Sequence, residues 1–394
     1  MSNLRQSLKP EKKINVLIVI TRLTIGGDTN VVLDIAEYLN KHPLYDVHLA
    51  VGPVLKHEVD LTYLAYERGI PTTLIHNLIN HISPWVNLKA LLELIAVMRR
   101  GKFDVVHTHS SVAGVVGRIA AFITRVPVIV HHVHGWGIQE NMSTAVRTLY
   151  LILERTCALF TDRLIAVSAP TVQKGLAYRI CKEEKFALIY NGINLEKFRQ
   201  KVDRQKVFSD LGLDPECKIV GMIARLDQQK NPLDFIRAAD IVVKKYPKVQ
   251  FLIAGDGSLR SECESLINEF NLHGTFFLLG YRDDISRIMP ILTLTVLSSL
   301  WEGLPVVFQE AMSAGKPTVA NDVDGARDVI IDGETGYLVT PHQPEEMAER
   351  ILYLLKNDDV CQQMGLTAQK YSERFSGEQM VKNISSLYRE LSKT

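Results

Sequence analysis

The sequence predicts an α/β protein of two doubly wound domains, each with a parallel sheet covered by helices. Short apolar runs of strand length alternate along the chain with segments of helical period, which is the pattern of such sheets. A polar and charged segment, Asn191–Arg204, interrupts the alternation, and the same pattern then starts again. The length of 394 residues suffices for two or three domains.

The apolar runs place the strands in chain order. In the first half we predict strands at Ile14–Ile20, Val47–Val51, Asp104–His107, Val128–His131, Leu164–Val167 and Ala187–Tyr190. In the second half we predict them at Lys218–Ala224, Gln250–Ala254, Thr275–Leu279, Leu292–Leu297 and Thr318–Ala320. After about Glu345 the period is helical, with a terminal helix at Gln379–Leu391. We therefore divide the chain into a first domain of residues 1–195 and a second of residues 196–375.

Composition excludes several classes of protein. Hydrophobic residues make up 46% and charged residues 23%, which is ordinary for a globular chain. The 45 basic and 44 acidic residues give a net charge of +1, so no nucleic acid partner is expected. The 5 cysteines are scattered without a C-x-x-C pair, and Met1–Asn15 lacks the apolar core of a signal peptide. No apolar window reaches the roughly 18 to 20 residues of a membrane span. We expect a cytoplasmic protein with free thiols.

The strongest functional signal is the stretch Trp301–Glu310, with the sequence WEGLPVVFQE. The strand Leu292–Leu297 leads into a Gly-Pro turn, and Pro305 suits the first position of a helix. Free amide groups at a helix start attract anions, so the backbone at Gly303 and Leu304 can approach a phosphate or a sugar hydroxyl.

Two carboxylates flank this turn. Glu302 is expected at the mouth of the site and Glu310 about 7.5 Å further along the helix axis. Carboxylates at those two heights can bind two polyols, such as a hexose and a ribose. Two isolated carboxylates with this spacing would usually be ordinary surface residues. The strand, turn and helix around Glu302 and Glu310 favour a ligand-binding site instead.

A second segment points to the same ligand. Lys218–Ala224 is predicted as a buried strand, and Asn231-Pro232 as a helix cap followed by the first helical position. Arg225 and Lys230 therefore lie in the connecting loop. A forked guanidinium and a point ammonium above a parallel sheet suit a diphosphate, because charge that develops on the leaving group opposes cleavage of a glycosyl-phosphate bond.

In these segments the chain resembles family 4 glycosyltransferases of the retaining GT-B type (glycosyl transferases group 1). The matching segments run from residue 14 to about 340 in the family's order. They are Ile25-Gly26-Gly27, Val105–Ser110, His131–Gly135, Asn191-Gly192-Ile193, Arg225 with Lys230, Ala254-Gly255-Asp256-Gly257, Gly280–Asp284 and Glu302–Gly315. The resemblance therefore covers a whole architecture.

The resemblance implies two Rossmann-like domains that face a cleft, with a helix of about residues 376–394 completing the first domain. It implies transfer of a hexose from a UDP-, GDP- or ADP-sugar to the hydroxyl of an acceptor sugar or glycolipid, with no further cofactor. In this scheme Arg225 and Lys230 stabilise the diphosphate, Glu310 binds the ribose, and Glu302 and His134 bind the donor sugar. Gly255 belongs to the donor site, and the backbone near Tyr281-Arg282 lies along the base.

The first domain contributes its own candidates. Gly26-Gly27 follows a strand and precedes a predicted helix, Thr29–Asn40, so its backbone can approach the donor phosphates. The Asp28-Thr29-Asn30 that follows departs from the small residue and glutamate that relatives often carry, so no acceptor contact is assigned to it. His134 resembles the family's histidine that hydrogen-bonds the donor sugar near the reacting carbon.

Two patterns could indicate a metal site. His107-x-His109 ends a strand, but a barrel-type metal site also needs further ligands at later strand ends, and the sheet here restarts. Asp322-x-Asp324 resembles the acidic pair of another glycosyltransferase architecture but follows a strand where this family has small residues. We expect no required metal ion.

The sequence does not determine the identity of the acceptor or whether the protein contacts a membrane. The segment from Pro84-Trp85 to Arg99-Arg100 and the helical stretch Ala145–Phe160 mix apolar, aromatic and basic residues. Either can rest on the inner face of a membrane that carries a glycolipid acceptor in cell-surface polysaccharide synthesis, or can be an ordinary core-facing helix. The alternatives to the transferase are a nucleotide-sugar epimerase of the same shape and a non-catalytic nucleotide-sugar-binding protein.

Overall fold

The structure is a computed structural model that describes residues 13–55, 58–81, 83–138 and 142–392. Most of the Met1–Asn15 segment lies outside these residues. Among the residues that are described, no helix combines the length and apolar character that crossing a membrane requires.

The described residues form thirteen strands and sixteen α-helices. The strands are β1 Ile14–Ile20, β2 Tyr45–Val51, β3 Thr72–Leu74, β4 Val105–His109, β5 Val128–Val133, β6 Arg163–Ala166, β7 Phe186–Leu188, β8 Lys218–Ile223, β9 Val249–Ala254, β10 Phe276–Leu278, β11 Leu294–Leu297, β12 Thr318–Asn321 and β13 Gly336–Val339. The helices are α1 Gly27–Lys41, α2 Tyr63–Glu67, α3 Pro84–Gly101, α4 Ser111–Thr124, α5 Thr144–Leu159, α6 Ala169–Ala177, α7 Glu196–Arg199, α8 Arg204–Leu211, α9 Pro232–Lys245, α10 Arg260–Glu269, α11 Ile285–Ile288, α12 Val306–Ser313, α13 Asp324–Arg327, α14 Pro344–Lys356, α15 Asp358–Tyr371 and α16 Gly377–Leu391. Short 3₁₀ helices lie at Glu183–Lys185, Met289–Ile291 and Ser372–Phe375.

The chain forms two compact units. The first contains the described residues up to Val167, residues Thr171–Tyr190 and those from Met380 onwards; the second contains Ser168–Pro170 and Asn191–Gln379. The predicted limits at residues 195 and 375 lie a few residues away from these.

The first unit has a seven-stranded sheet in the order β3-β2-β1-β4-β5-β6-β7. All its neighbouring strands are parallel. The central strands are buried on both faces, which is why β1 reads as a continuous apolar run from Val16 to Ile20. On one face, α4 packs against both α3 and α5.

The second unit has a six-stranded parallel sheet in the order β10-β9-β8-β11-β12-β13. Its core is aliphatic and aromatic, with Phe235, Phe251 and Phe276 in mutual ring contact. The predicted fold class, two Rossmann-like doubly wound domains, is therefore confirmed for each unit taken by itself.

The terminal helix α16 returns to the first sheet. Tyr388 is buried and its hydroxyl lies 2.7 Å from Nδ1 of His107 on β4. The hydroxyl of Tyr45 on β2 lies 2.6 Å from Oγ of Ser385. These contacts fix the carboxyl-terminal half of α16 on the first domain.

The sequence analysis did not predict two of the strands, and the segment predicted as a linker has a different structure. β3 and β13 are edge strands of three and four residues, and an edge strand needs less apolar sequence because it pairs on one side only. The predicted linker Asn191–Arg204 contains α7, and it is packed on the second unit: the backbone carbonyls of Asn191 and Leu195 accept hydrogen bonds from Gln309 and Ser313 of α12.

Candidate functional site

In the second domain, the loops after β8 and β11 meet at the point where the strand order reverses. β9 and β10 extend the sheet on one side of β8, and β11 to β13 extend it on the other. Ligands of open α/β sheets bind beyond the carboxyl ends of the strands at such a switch point. The two loops are joined directly, since the Leu300 amide donates to the Gln229 carbonyl at 2.8 Å and Gln229 Nε2 donates to the Trp301 carbonyl at 2.9 Å.

The centre of this site is an ion pair between Lys230 and Glu302. The side chains are only 16% and 7% exposed, although they are 72 residues apart in sequence. The backbone around Lys230 is held by Ser298, whose hydroxyl donates to the carbonyls of Lys230 at 3.0 Å and of Asn231 at 2.7 Å. The structure thus brings together two side chains that the sequence assigned to one ligand.

Arg225 lies in the same loop with an exposed guanidinium. Its Nη2 is 3.1 Å from Oδ2 of Asp227 and 3.2 Å from Oε1 of Gln229. Asp227 also accepts from the Lys230 amide at 2.9 Å, so one carboxylate orders both basic residues. An exposed, locally ordered guanidinium beside a lysine is suited to bind an incoming phosphate.

Helix α12 begins one residue later than predicted. Pro305 is the residue before the helix, with φ −66° and ψ 115°, and Val306 is the first helical residue. Leu304 is buried, whereas Gly303 is partly exposed. Proline has no N–H to offer, so the free amides of this turn come from its neighbours.

Glu310, in the middle of α12, has an unusual environment. Burial raises the pKa of Glu310 to about 7, and the nearby charge of Lys197 opposes that shift. Its carboxyl group is therefore close to half protonated near neutral pH in the absence of ligand. A carboxylate in this position gains from hydroxyl groups that donate hydrogen bonds to it.

Gly255 and Gly280 bring two loops into close contact at the ends of β9 and β10. The Gly255 amide donates to the Gly280 carbonyl at 2.8 Å, and a Cβ on Gly255 would lie 1.8 Å from the Ala224 carbonyl oxygen. Only glycine fits there. Tyr281 is exposed, and both arms of the Arg282 guanidinium bind Asp284, at 2.8 and 2.7 Å. The Arg282 side chain is thus engaged within its own loop, so a contact with a nucleobase would have to come from its backbone.

In the first domain, Gly26 directly precedes α1 and Gly27 is the first residue of that helix. The helix therefore starts two residues before the predicted Thr29. Asp28 lies in the first turn, and its Oδ1 accepts from the Thr29 amide at 3.0 Å. This carboxylate puts negative charge where the sequence placed the donor phosphates, so the local charge opposes that prediction.

His134 follows β5 and belongs to a group of four histidines. Its Nε2 lies 2.9 Å from Nδ1 of His109 at the end of β4. Burial lowers the pKa of His134, and the charge of Asp28 raises it. His134 is therefore a neutral imidazole at physiological pH, able to form hydrogen bonds without carrying charge.

The described residues contain one group of side chains that could hold a metal ion, His107, His109 and His132, with ligand atoms within 4.8 Å of one another. The rings are stacked or tilted, and two ring nitrogens of the group already have partners, His107 with Tyr388 and His109 with His134. Asp322 of the acidic pair is bound by both arms of the Arg327 guanidinium at 2.5 and 2.9 Å.

Sequence reasoning missed two contributors to these sites. His109 was considered as a metal ligand and as part of a segment shared with the family, and its hydrogen bond to His134 connects residues 25 positions apart. Ser299 is the second residue after β11, and its Oγ is inaccessible and has no hydrogen-bond partner among the described residues. A polar dipeptide at the end of an apolar strand was the available signal for Ser299.

Comparisons with known proteins agree over both domains. The family model described as "Glycosyltransferase Family 4" matches residues 25–197, and that described as "Glycosyl transferases group 1" matches residues 203–371. Among curated relatives, the UDP-Gal:alpha-D-GlcNAc-diphosphoundecaprenol alpha-1,3-galactosyltransferase of Escherichia coli is 34% identical over 269 residues, which is 67% of this chain and 70% of the relative. The capsular polysaccharide biosynthesis glycosyltransferase CapM of Staphylococcus aureus is 26% identical over 78% of this chain and 82% of the relative.

Solved structures share the fold. HepE of Anabaena, solved in complex with UDP and glucose, superposes with a TM-score of 0.84 at 23% identity, covering 96% of this chain and 100% of that one. Sucrose-phosphate synthase of Thermosynechococcus elongatus gives a TM-score of 0.81 at 20% identity, covering 96% and 99%.

Proposed function

Because the chain belongs to the family 4 glycosyltransferases, we propose that it transfers a hexose from a nucleoside-diphosphate sugar to an acceptor hydroxyl with retention of anomeric configuration. The predicted family and enzyme class are confirmed by the relatives that it matches. Its donor, acceptor, stereochemistry and site residues are the proposal.

The observation that carries the proposal is the Lys230–Glu302 ion pair beside Arg225 at the switch point of the second sheet. Without ligand, each charge partly satisfies the other. When a donor binds, its diphosphate can take Glu302's place beside Lys230, and the released carboxylate can accept hydrogen bonds from the sugar hydroxyls. Binding the donor thus exchanges one ion pair for two sets of ligand contacts.

The other residues have complementary roles. Arg225 and the amides near Gly303 and Leu304 stabilise the charge that develops on the departing diphosphate. Glu310 accepts hydrogen bonds from the ribose, and the backbone at Tyr281-Arg282, next to Gly255, lies along the base.

In the first domain, His134 hydrogen-bonds the donor sugar. The Gly26-Gly27 backbone is the weakest of the proposed phosphate contacts because Asp28 lies beside it. We assign no carboxylate nucleophile, so the acceptor attacks on the face that the diphosphate leaves, through a short-lived ion pair. Basic residues and amides replace a metal ion in this scheme, and no other cofactor is required.

The names of relatives guide the choice of substrates. The Escherichia coli relative is named for UDP-Gal and a diphosphoundecaprenol-linked acceptor, and the HepE structure contains UDP and glucose. We therefore rank UDP-hexoses before GDP- and ADP-hexoses as donors, and a lipid-linked sugar of cell-surface polysaccharide or glycolipid synthesis as acceptor.

A lipid-linked acceptor fits the exposed apolar residues that α3, α4 and α5 carry on the surface of the first domain. Trp85 on α3 is 78% exposed and Leu159 on α5 is 80% exposed. Leu92, Phe122 and Ile152 are further exposed apolar residues on α3, α4 and α5. Arg99 and Arg100 end α3 on the same domain. We propose that this surface contacts an anionic membrane at its inner, cytoplasmic face.

A vesicle flotation assay tests the membrane contact. The protein should float with vesicles that contain phosphatidylglycerol, more weakly with phosphatidylcholine alone, and Trp85→Ser with Leu92→Ser should abolish flotation. Tyr66→Ser is the matched control, because Tyr66 is also an exposed aromatic residue of the first domain but lies on α2. Equal flotation of both variants would contradict this surface.

A donor screen tests the activity itself. Slow hydrolysis of UDP-, GDP- and ADP-hexoses identifies the base and sugar, and a new glycoside with a lipid-linked acceptor establishes transfer. Addition of EDTA should leave the rate unchanged. Release of an altered free sugar without acceptor would indicate an epimerase instead, and donor binding without turnover would indicate a binding protein.

A further inference from the structure

His109 lies on β4, which runs beside β5 in the first sheet. β5 leads to His134, the residue that we propose contacts the donor sugar. His109 is the last residue of β4 and pairs in register with His132 of β5. His134 follows two residues later, and Nδ1 of His109 lies 2.9 Å from Nε2 of His134. His109 is completely buried, whereas His134 is partly exposed.

The surrounding rings leave His109 little freedom. Its ring centroid lies 4.3 Å from that of His107, 5.0 Å from that of His132 and 5.2 Å from that of His134. His107 is fixed in turn by its hydrogen bond to Tyr388 of α16. Burial lowers the pKa of His107 to about 3 and also lowers those of His109 and His134, so the hydrogen bond joins neutral rings.

A hydrogen bond between two neutral imidazoles has only two proton arrangements. Either His109 donates from Nδ1, which leaves the proton of His134 on its own Nδ1, or His134 donates from Nε2, which leaves the proton of His109 on its Nε2. His109 Nε2 and His134 Nδ1 have no other hydrogen-bond partner among the described residues. Each arrangement therefore leaves one inaccessible N–H without a partner, on His134 in the first and on His109 in the second.

The first arrangement has the lower cost. It leaves a bare ring nitrogen on the fully buried His109 and puts the unpartnered N–H on His134, a partly exposed residue whose Nδ1 is itself inaccessible, and the negative charge of Asp28 favours a proton on that ring. That N–H is a donor, and a sugar hydroxyl can accept from it after a small rearrangement of the loop.

We propose that His109 is a positioning residue, which holds the His134 ring in one orientation with its proton on Nδ1, as a hydrogen-bond donor to the donor sugar. The inference depends on the proposed function only for the role of His134. It gives the buried β4 histidine a purpose that packing alone does not supply.

Steady-state kinetics with the identified donor test this role. His109→Leu should lower kcat about tenfold to a hundredfold with a small change in KM, as removing a partner that orients a functional histidine does. His109→Asn should restore much of the loss, because its amide can donate from near the position of Nδ1. His48→Leu is the matched control: it removes a partly buried histidine of the same sheet and its 2.7 Å hydrogen bond to Thr73, yet kcat should stay within about twofold.

A double-mutant cycle separates positioning from general damage. In a His134→Ala background, His109→Leu should cause no further loss, because its effect passes through His134. Multiplying losses, an equal loss of kcat in the His48 and His109 variants, or a His134→Ala enzyme with full activity would each overturn the proposal.

Nitrogen NMR of the full-length protein labelled with ¹⁵N-histidine gives a readout that needs no turnover. The His134 ring, assigned by its disappearance in His134→Ala, should show a protonated Nδ1 and a bare Nε2 between pH 6 and 8. His109→Leu should give averaged tautomer signals. An Nε2-protonated His134 in the wild type, or one equivalent of zinc that His109→Leu loses, would contradict the proposal. If no sugar nucleotide is turned over, the proposed function fails while these spectra still test the hydrogen bond.

Discussion

Replacing Lys230 by alanine is the sharpest test of how the second domain treats its donor. The variant removes the ammonium group that pairs with Glu302 and leaves that carboxylate, which is only 7% exposed, without its cation. Donor turnover should fall, because the diphosphate loses a positive charge as it leaves the sugar.

The size of the loss follows from the burial of the pair. At an effective dielectric constant of about 20, two unit charges about 4 Å apart interact by about 4 kcal/mol. At about 1.4 kcal/mol per tenfold change, and because Lys230 already pairs with Glu302 before the donor binds, we expect kcat/KM to fall by about 10²- to 10³-fold. Leaving Glu302 unpaired should also destabilise the fold by about 3 kcal/mol.

The assay measures transfer from a radiolabelled nucleotide sugar, together with calorimetric binding of the nucleoside diphosphate. Glu302→Gln complements it: Lys230 is no longer neutralised, so the diphosphate should bind more tightly while turnover falls. Lys244→Ala is the control, since Lys244 pairs with Asp240 on the exposed side of α9. If Lys230→Ala keeps kcat/KM within about twofold of the wild type, as the control should, the exchange of partners is refuted.

Three residue environments give four further predictions. Because burial raises the pKa of Glu310 to about 7, its carboxylate appears as pH rises through 7, so the affinity for a UDP-hexose measured by calorimetry should rise from pH 6 to 8 and lose this dependence in Glu310→Gln. The same raised pKa means that Glu310 costs stability as pH rises from about 5 to 7, so Glu310→Gln should unfold at higher urea concentration than the wild type at pH 8 but not at pH 5. Gly255→Ala should lower the free energy of unfolding by about 1–3 kcal/mol and weaken nucleotide binding, because its Cβ would lie 1.8 Å from a carbonyl oxygen; unchanged urea curves would contradict the close approach. Arg118→Met should destabilise the first domain by about 3–5 kcal/mol, because Glu154, which is fully buried and 2.8 Å away, loses its ion-pair partner. The double variant Arg118→Met with Glu154→Leu should recover most of that loss in the same urea assay.

Most of the fold could be predicted because buried parallel strands carry their own signature. The run Ile14–Ile20 was predicted with its observed limits, since a strand covered on both faces must be apolar along its whole length. The edge strands Thr72–Leu74 and Gly336–Val339 carry no such signature because each pairs on one side only and is short.

The sequence by itself determined the two-domain α/β pattern and the chemistry of the loops, because strand length, helix period, glycine and proline act over a few residues. Only the tertiary structure decided which of those groups touch. Lys230 meets Glu302 across 72 positions, and Tyr388 meets His107 across 281, through the register of the sheets and the return of the last helix. Likewise His109 gained its partner His134 from the pairing of β4 with β5. Local composition cannot encode such pairings, because the free energy that selects them comes from burying the apolar strands and helices that carry these residues.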